Sequence, residues 1–175
     1  WGGLPYSKRG NRGKASWPSE RTLNIGYGWD RIQNLLWRLD HGQIDGIDPK
    51  LVVINIGTNN LAGTRNAKAN SPAEIAEAIE LVCETVKRRL PKAKIVLMGV
   101  FPRGKTAADA KRKQVAEINA IIKDLDTDPR ISYIDLTDKF VGADGKIAKN
   151  LMGDGLHPSA TGYAIWREAL EPFLK

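Results

Sequence analysis

This chain of 175 residues contains very little cysteine and no long apolar run. Its single cysteine, Cys83, permits no intramolecular disulfide and no cysteine-rich metal site. No apolar run approaches the roughly 20 residues that a membrane-spanning helix requires, so we expect no integral membrane span. Cys83 falls within an apolar helical pattern, and we interpret it as a small core residue.

Positive charge exceeds negative charge, but the excess is scattered along the chain. Lys and Arg total 27 against 20 for Asp and Glu, which gives a formal net charge of +7. The basic residues form groups in a loop at residues 8–14, at the end of a predicted helix at 87–89, and on another helix at 111–113. No nucleic-acid-binding motif accompanies them. We therefore interpret these groups as solvated surface and expect no nucleic-acid partner.

Hydrophobic patterns alternate between strands and helices. The predicted strands cover residues 22–25, 51–56, 94–100 and 131–136, the last of them nearer an edge of the sheet. The predicted helices cover residues 30–39, 72–90, 106–125 and 158–174. This alternation predicts a single α/β domain over residues 1–175, with a parallel sheet covered by helices on both faces.

Glycine-rich and polar segments follow three of these elements, at residues 24–30, 57–60 and 153–157. Parallel sheets place their sites at the carboxyl ends of strands, so we expect the three loops to share one edge. In the last loop Asp154 lies three residues before His157, a spacing that puts both side chains on one face. A carboxylate there can orient an imidazole that acts as a general base. Asn59 can supply a side-chain amide to a developing oxyanion.

Each of these pieces also has a structural explanation. The adjacent Asn59 and Asn60 are also explained as turn residues at the end of a strand, with no role in catalysis. A histidine before proline is likewise explained as the beginning of a helix. His41 ends a predicted helix and is expected to face the helix dipole, with no catalytic role. Trp37 is expected in the core, whereas Trp29 lies inside a candidate site loop.

Taken together, five segments resemble the SGNH, or GDSL, hydrolase family. They are NIGYGWD (24–30), LWRL (36–39), GTNN (57–60), FPRG (101–104) and DGLHP (154–158). The resemblance spans residues 15–170 and is greatest to the branch that contains the platelet-activating-factor acetylhydrolase catalytic subunits. It implies a three-layer α/β/α sandwich with a flavodoxin-like, five-stranded parallel sheet, and ester hydrolysis without a metal or an organic cofactor.

The resemblance implies roles for individual residues. Asn59 matches the oxyanion asparagine, and Asp154 and His157 match the acid and the base of a catalytic triad. The position of the family's oxyanion glycine corresponds to Trp29 in this sequence, immediately after Gly28. The required group is a backbone N–H, which every residue except proline keeps.

Two residues are expected to contact the substrate, Trp29 and Asn60. The indole of Trp29 would narrow the pocket, so we expect a preference for a small acyl group such as acetyl.

The Gly-Asp-Ser block of the family, which carries the nucleophilic serine, has no match in the sequence. Ser7, Ser16 and Ser19 lack the Gly-Asp context and a preceding apolar strand, so we reject them as nucleophiles. We expect the serine and the first strand upstream of Trp1. The sequence assigns no compartment: a leader before Trp1 would imply secretion or the periplasm, and its absence the cytoplasm.

The sequence therefore predicts a serine ester hydrolase that acts on a short-chain carbohydrate or lipid ester. We expect the chain to be inactive without the upstream serine. A non-catalytic binding module on the same fold stays open as the alternative, because one fold hosts many functions. The expected partner is a small-molecule ester, and a homo-oligomer is an open alternative to a monomer.

Overall fold

Three parallel strands form one sheet in a computed structural model that describes residues 22–174 of the chain. They are β1 (Leu51–Ile54), β2 (Lys94–Met98) and β3 (Ile131–Ile134), in the spatial order β1-β2-β3. The register pairs Leu51 with Lys94 and Ile95 with Ile131. The basic loop at residues 8–14 and the three rejected serines lie outside the described residues.

Helices connect the strands, and local capping decides where several of them begin. The helices are α1 (Ile32–Asp40), α2 (Pro72–Arg89), α3 (Ala110–Ile122), α4 (Thr137–Phe140) and α5 (Ala160–Leu170), with 3₁₀ helices at Thr58–Leu61, Lys123–Thr127 and Glu171–Phe173. Before α2, the Ser71 hydroxyl accepts a bond from the Glu74 N–H, and the Glu74 carboxylate accepts one from the Ser71 N–H. The helix predicted from residue 106 begins later, because the Asp109 carboxylate caps it there.

Alternate side chains of β2 enter two separate hydrophobic cores. Ile95 and Leu97 join a core with α2 and α3, whereas Val96 and Met98 join a second core that includes Leu170 of α5. A strand that is buried on both faces requires a helical layer on each side. The predicted α/β fold with a parallel sheet between helices is therefore confirmed.

Two predictions about the amino-terminal part of the described chain are wrong. Residues 22–25 form no strand, because no described strand offers them hydrogen-bond partners. Trp37 is 61% exposed and stacks on His41 instead of entering the core. The buried face of α1 is occupied by Ile32 and Leu39, and Trp37 lies on a different face of that helix. With three strands described, the five-stranded sheet stays a prediction.

Cys83 and β3 agree with their predicted places. Cys83 is fully buried in the core beneath α2, and this burial raises the pKa of its thiol to about 12. Strand β3 pairs only with β2 among the described strands, as expected for an edge strand. None of the helices between residues 22 and 174 combines the length and the apolar character needed to cross a bilayer.

Gly57 links β1 to the 3₁₀ helix that carries Asn59. Its φ is +116°, in the left-handed region. A Cβ atom at this position would lie 3.2 Å from the Ile75 Cγ2 and 3.3 Å from the Val100 Cγ2. Both the backbone conformation and the available space therefore call for glycine.

Replacing Gly57 by alanine should destabilise the fold, because it adds conformational strain and crowds the core. We expect Gly57→Ala to lower the free energy of unfolding by about 2–4 kcal/mol, measured by urea denaturation. Gly63→Ala is the control, since a Cβ there would lie 3.6 Å from its nearest neighbours without a left-handed φ. Its expected change is below about 1 kcal/mol. Equal effects of the two substitutions would contradict the role given to Gly57.

Candidate active site

Asp154 and His157 form a hydrogen-bonded pair in the turn that precedes α5, and we call them the acid–base pair. The Asp154 Oδ2 lies 2.7 Å from the His157 Nδ1. The Asp154 Oδ1 accepts bonds from the backbone N–H groups of Leu156 (3.0 Å) and His157 (2.8 Å). The structure therefore brings the two predicted side chains together, with Nδ1 as the ring nitrogen that faces the carboxylate.

The charge state of Asp154 follows from these contacts. Partial burial alone would raise its pKa, but bonds from the backbone and ring of His157 and from the Leu156 N–H lower the pKa to about 2. The carboxylate is thus ionised at neutral pH. An ionised carboxylate can hold the imidazole in one orientation and stabilise the positive charge that the ring acquires as a base.

Local bonds build the turn that presents the acid–base pair. The Gly155 N–H donates to the Met152 carbonyl (3.0 Å), and the Ser159 N–H donates to the Leu151 carbonyl (2.7 Å). The Ser159 hydroxyl then caps α5 by accepting a bond from the Gly162 N–H. The pair therefore lies directly before a helix whose start is set by its own sequence.

Asn59 is half-buried in the 3₁₀ helix that follows β1. Its Nδ2 donates to the carbonyl of Asp30 at 2.9 Å. A side-chain amide carries two N–H donors, and this bond uses one of them. The bond joins Asn59 to the turn that contains Trp29, which is the other predicted source of oxyanion donors.

Asn60, next along the 3₁₀ helix, points into the protein and is only 1% exposed. Its Oδ1 accepts a bond from the Ile32 N–H at 3.0 Å. Its Nδ2 donates to Gln33 at 2.9 Å and to Asn70 at 3.0 Å. This placement does not support a substrate contact by Asn60, and we propose that it ties the loop to α1 instead.

Trp29 occupies the third position of a tight turn from Tyr27 to Asp30, and Gly28 occupies the second. The turn is closed by a bond from the Asp30 N–H to the Tyr27 carbonyl at 3.4 Å. Trp29 has a φ of +66° and is 80% exposed. A bulky side chain is rare in this left-handed conformation, which turns usually reserve for glycine. The conformation therefore accords with the position of an oxyanion glycine.

Asp30 and Arg38 support this turn, and sequence reasoning missed both. The Asp30 carboxylate accepts bonds from Arg38 at 2.8 and 2.5 Å and from the Tyr27 N–H at 3.2 Å. The Arg38 guanidinium also lies over the Tyr27 ring, 4.6 Å from its centroid. The sequence signal that could have found Asp30 and Arg38 is their position within the NIGYGWD and LWRL segments, which carry the family resemblance.

The loop at residues 101–104, which follows β2, contacts both neighbouring site loops. The Arg103 Nη1 donates to the Thr58 carbonyl at 2.8 Å, and the Gly104 N–H donates to the Gly155 carbonyl at 2.9 Å. The loops of Asn59 and of the acid–base pair thus flank the same short segment at the carboxyl end of the sheet. Between residues 22 and 174, no group of three or more His, Cys, Asp or Glu side chains could hold a metal ion.

The sequence is similar to known acylhydrolases over most of its length. Residues 1–165 match the model of the GDSL-like Lipase/Acylhydrolase family. The chain is 35% identical over 143 residues to the platelet-activating factor acetylhydrolase IB subunit alpha2 of Rattus norvegicus. That alignment covers 81% of this chain and 59% of the relative, so the chain spans less than two thirds of the length of this relative.

Solved structures share the fold at lower sequence identity. A GDSL-like lipase from Bacteroides thetaiotaomicron has a TM-score of 0.73 at 23% identity, over 87% of this chain and 74% of that one. A carbohydrate esterase family 3 protein from Talaromyces cellulolyticus has a TM-score of 0.64 at 16% identity, over 85% and 68% of the two chains. With the family model matched over residues 1–165, the chain belongs to the GDSL-like lipase/acylhydrolase family.

Proposed function

We propose that this chain supplies the general base and the oxyanion donors of a serine ester hydrolase. The observation that carries the proposal is the 2.7 Å contact between Asp154 and His157, on a loop that is bonded to the same segment as the loop of Asn59. Acyl transfer needs a base with an orienting partner and donors for the oxyanion within one small space. The family match supports the same class of reaction.

In the proposed reaction, the hydroxyl of a serine upstream of Trp1 attacks the carbonyl carbon of the ester. His157 accepts the hydroxyl proton through Nε2, because Nδ1 is bonded to Asp154. As the tetrahedral intermediate collapses, the imidazolium donates this proton to the oxygen of the leaving alcohol. A water molecule, deprotonated by His157, then attacks the acyl carbon. The bond from that carbon to the serine oxygen breaks, and the imidazolium returns the proton to this oxygen, which releases the carboxylic acid.

Hydrogen-bond donors on two loops stabilise the negative charge of the tetrahedral intermediate in this proposal. The Asn59 amide and the backbone at Gly28 and Trp29 are the proposed donors, together with the N–H of the serine itself. The bond from Asn59 to the Asp30 carbonyl supports this proposal, because it holds the amide against the turn before any substrate binds. Loss of one such donor typically costs about 10²–10³ in rate.

The proposed substrate is a short-chain ester of a lipid or a carbohydrate. One relative is named an acetylhydrolase of platelet-activating factor, and one structural neighbour is named a carbohydrate esterase. The exposed indole of Trp29, at the oxyanion turn, would limit the space beside the acyl carbon. We propose that this space accepts acetyl better than a long chain.

The alternative proposal is a non-catalytic binding module, because one fold hosts many functions. Binding alone, however, gives no reason to hold a histidine against an ionised carboxylate. A p-nitrophenyl acetate assay on the full-length protein separates the two proposals. Turnover supports the hydrolase, and the absence of turnover in a protein that carries the serine supports the binding module.

Replacing His157 should nearly abolish ester hydrolysis, because the reaction loses its general base. In the full-length protein we expect His157→Ala to lower kcat for p-nitrophenyl acetate by about 10³-fold or more. His41→Ala is the matched control, since His41 caps α1 and bonds to the Trp37 carbonyl. It should retain full activity. A loss of less than tenfold in His157→Ala would show that His157 is not the base.

The Asp154 carboxylate should make a contribution to the free energy of unfolding that is lost at acidic pH. Its pKa is lower in the folded chain than in the unfolded chain, so its contribution is present above about pH 4 and declines toward pH 2. The free energy of unfolding should therefore fall more steeply over this range in the wild type than in Asp154→Asn. Urea denaturation at several pH values measures the slopes, and Asp138→Asn controls for the loss of an exposed carboxylate. Parallel slopes in the wild type and Asp154→Asn would contradict the pairing.

Removing the indole of Trp29 should relax the preference for small acyl groups. For Trp29→Gly we expect the ratio of kcat/KM for p-nitrophenyl octanoate to that for the acetate to rise about tenfold or more. Trp37→Ala removes a second exposed indole, on α1, and should leave the ratio unchanged. If the ratio in Trp29→Gly stays at the wild-type value, Trp29 does not limit the acyl pocket.

A further inference from the structure

The segment Arg103–Gly104, which we call the bridging segment, separates the two loops of the proposed site. Its Arg103 side chain holds the Thr58 carbonyl, one residue before Asn59. Its Gly104 N–H holds the Gly155 carbonyl, within the turn of the acid–base pair. A displacement of this segment would therefore change the distance between the proposed oxyanion donor and the proposed base.

Close packing transmits the position of the bridging segment to the turn. Gly155 has a φ of +73°, and a Cβ there would lie 3.3 Å from both the Gly104 carbonyl carbon and the Lys105 nitrogen. A side chain at position 155 would therefore crowd the backbone of the segment, whereas glycine lets the turn pack closely against it. The turn and the segment should therefore shift together.

Arg112, at the start of α3, holds the bridging segment from the other side. Its Nε donates to the Arg103 carbonyl at 3.0 Å, and its Nη2 donates to the Gly104 carbonyl at 2.7 Å. Its Nη1 donates to the Gly145 carbonyl at 3.3 Å. These three bonds use the planar, forked geometry of a guanidinium, which the single ammonium of lysine cannot reproduce.

The bonds of Arg112 point to positioning rather than to charge pairing. Among the described residues Arg112 forms no salt bridge, and the three bonds of its side chain all go to backbone carbonyls. No other described donor reaches the carbonyls of Arg103 and Gly104. The guanidinium is thus the one described group that fixes both peptide units of the bridging segment.

The basic group at residues 111–113, which we interpret from the sequence as solvated surface, is divided in the structure. Lys111 donates to the carbonyl of Leu61, at the end of the 3₁₀ helix that carries Asn59. Lys113, in contrast, has an 85% exposed side chain and only a distant ion pair with Glu117, at 3.9 Å. The solvated interpretation is therefore wrong for Lys111 and Arg112, and Lys113 provides a matched control.

We propose that Arg112 is a positioning residue of the proposed esterase: it fixes the bridging segment and thereby the spacing between Asn59 and the acid–base pair. This inference rests on the proposed function. It assigns Arg112 no contact with substrate, so its loss should affect the rate of the chemical step more than substrate binding.

Kinetics of the full-length protein test the proposal with three variants. In Arg112→Ala and Arg112→Lys we expect kcat for p-nitrophenyl acetate to fall about 10- to 100-fold, with KM within about threefold of the wild type. Lys113→Ala should match the wild type. Added guanidinium ion at millimolar concentration should restore part of the activity of Arg112→Ala and none of that of Arg112→Lys, whose ammonium occupies the site.

Three results would overturn the proposal. One is a kcat in Arg112→Lys within about threefold of the wild type, because a single ammonium would then suffice. Another is an equal loss in Lys113→Ala, which would indicate a general effect of charge. The third is a failure of both Arg112 variants to fold, shown by circular dichroism, because Arg112 would then serve stability alone.

A second measurement separates this proposal from the proposed function. Nuclear magnetic resonance detects the side-chain amide of Asn59 and the ring of His157 without any turnover, and His41 serves as an internal reference. In Arg112→Lys we expect both site signals to shift while the His41 signal stays in place. If the wild type lacks esterase activity, the proposed function fails and these shifts still decide the positioning role. Unshifted signals would overturn that role even in an active enzyme.

Discussion

The hydrogen bond from the Gly104 N–H to the Gly155 carbonyl is the contact on which the assembly of the proposed site depends. The other backbone bonds described for the turn of the acid–base pair are local, such as that from the Gly155 N–H to the Met152 carbonyl. Local bonds can orient the imidazole against the carboxylate, but they cannot set its distance from Asn59, which follows a different strand. That distance requires a contact between loops, and a preorganised site needs it before substrate arrives.

Sequence reasoning succeeds here where the structure is decided within a few residues. Asp154 accepts the N–H groups of the residues two and three positions ahead, and in this local turn the His157 ring bonds to its second carboxylate oxygen. The start of α2 is equally local, since the Ser71 hydroxyl and the Glu74 carboxylate each accept a bond from the other residue's backbone N–H. The burial of β2 on both faces also follows from its nearly continuous apolar sequence.

Sequence reasoning fails where a side chain's direction depends on a distant partner. Asn60 is adjacent to Asn59, yet one residue along a 3₁₀ helix turns it from the loop surface into the protein. Arg112 and Lys113 are both basic, yet one binds three carbonyls and the other faces solvent. Residues 22–25 have the composition of a strand, but a strand exists only beside another. Composition and periodicity carry no information about such partners.

The conformation of Trp29 shows how the fold supports a strained residue at the proposed site. A left-handed φ costs a bulky residue about 1–2 kcal/mol, and such strain persists only where neighbouring bonds fix the backbone. The next residue, Asp30, fixes the backbone through its two bonds to Arg38. The side chains of Asp30 and Arg38 are both largely shielded from solvent. Hydrogen bonds to charged groups contribute about 1.5–3 kcal/mol each, which is enough to offset the strain. A glycine would need no such support, so the indole is a cost to stability at this position, and the proposed limit on the size of the acyl group gives a reason for keeping it.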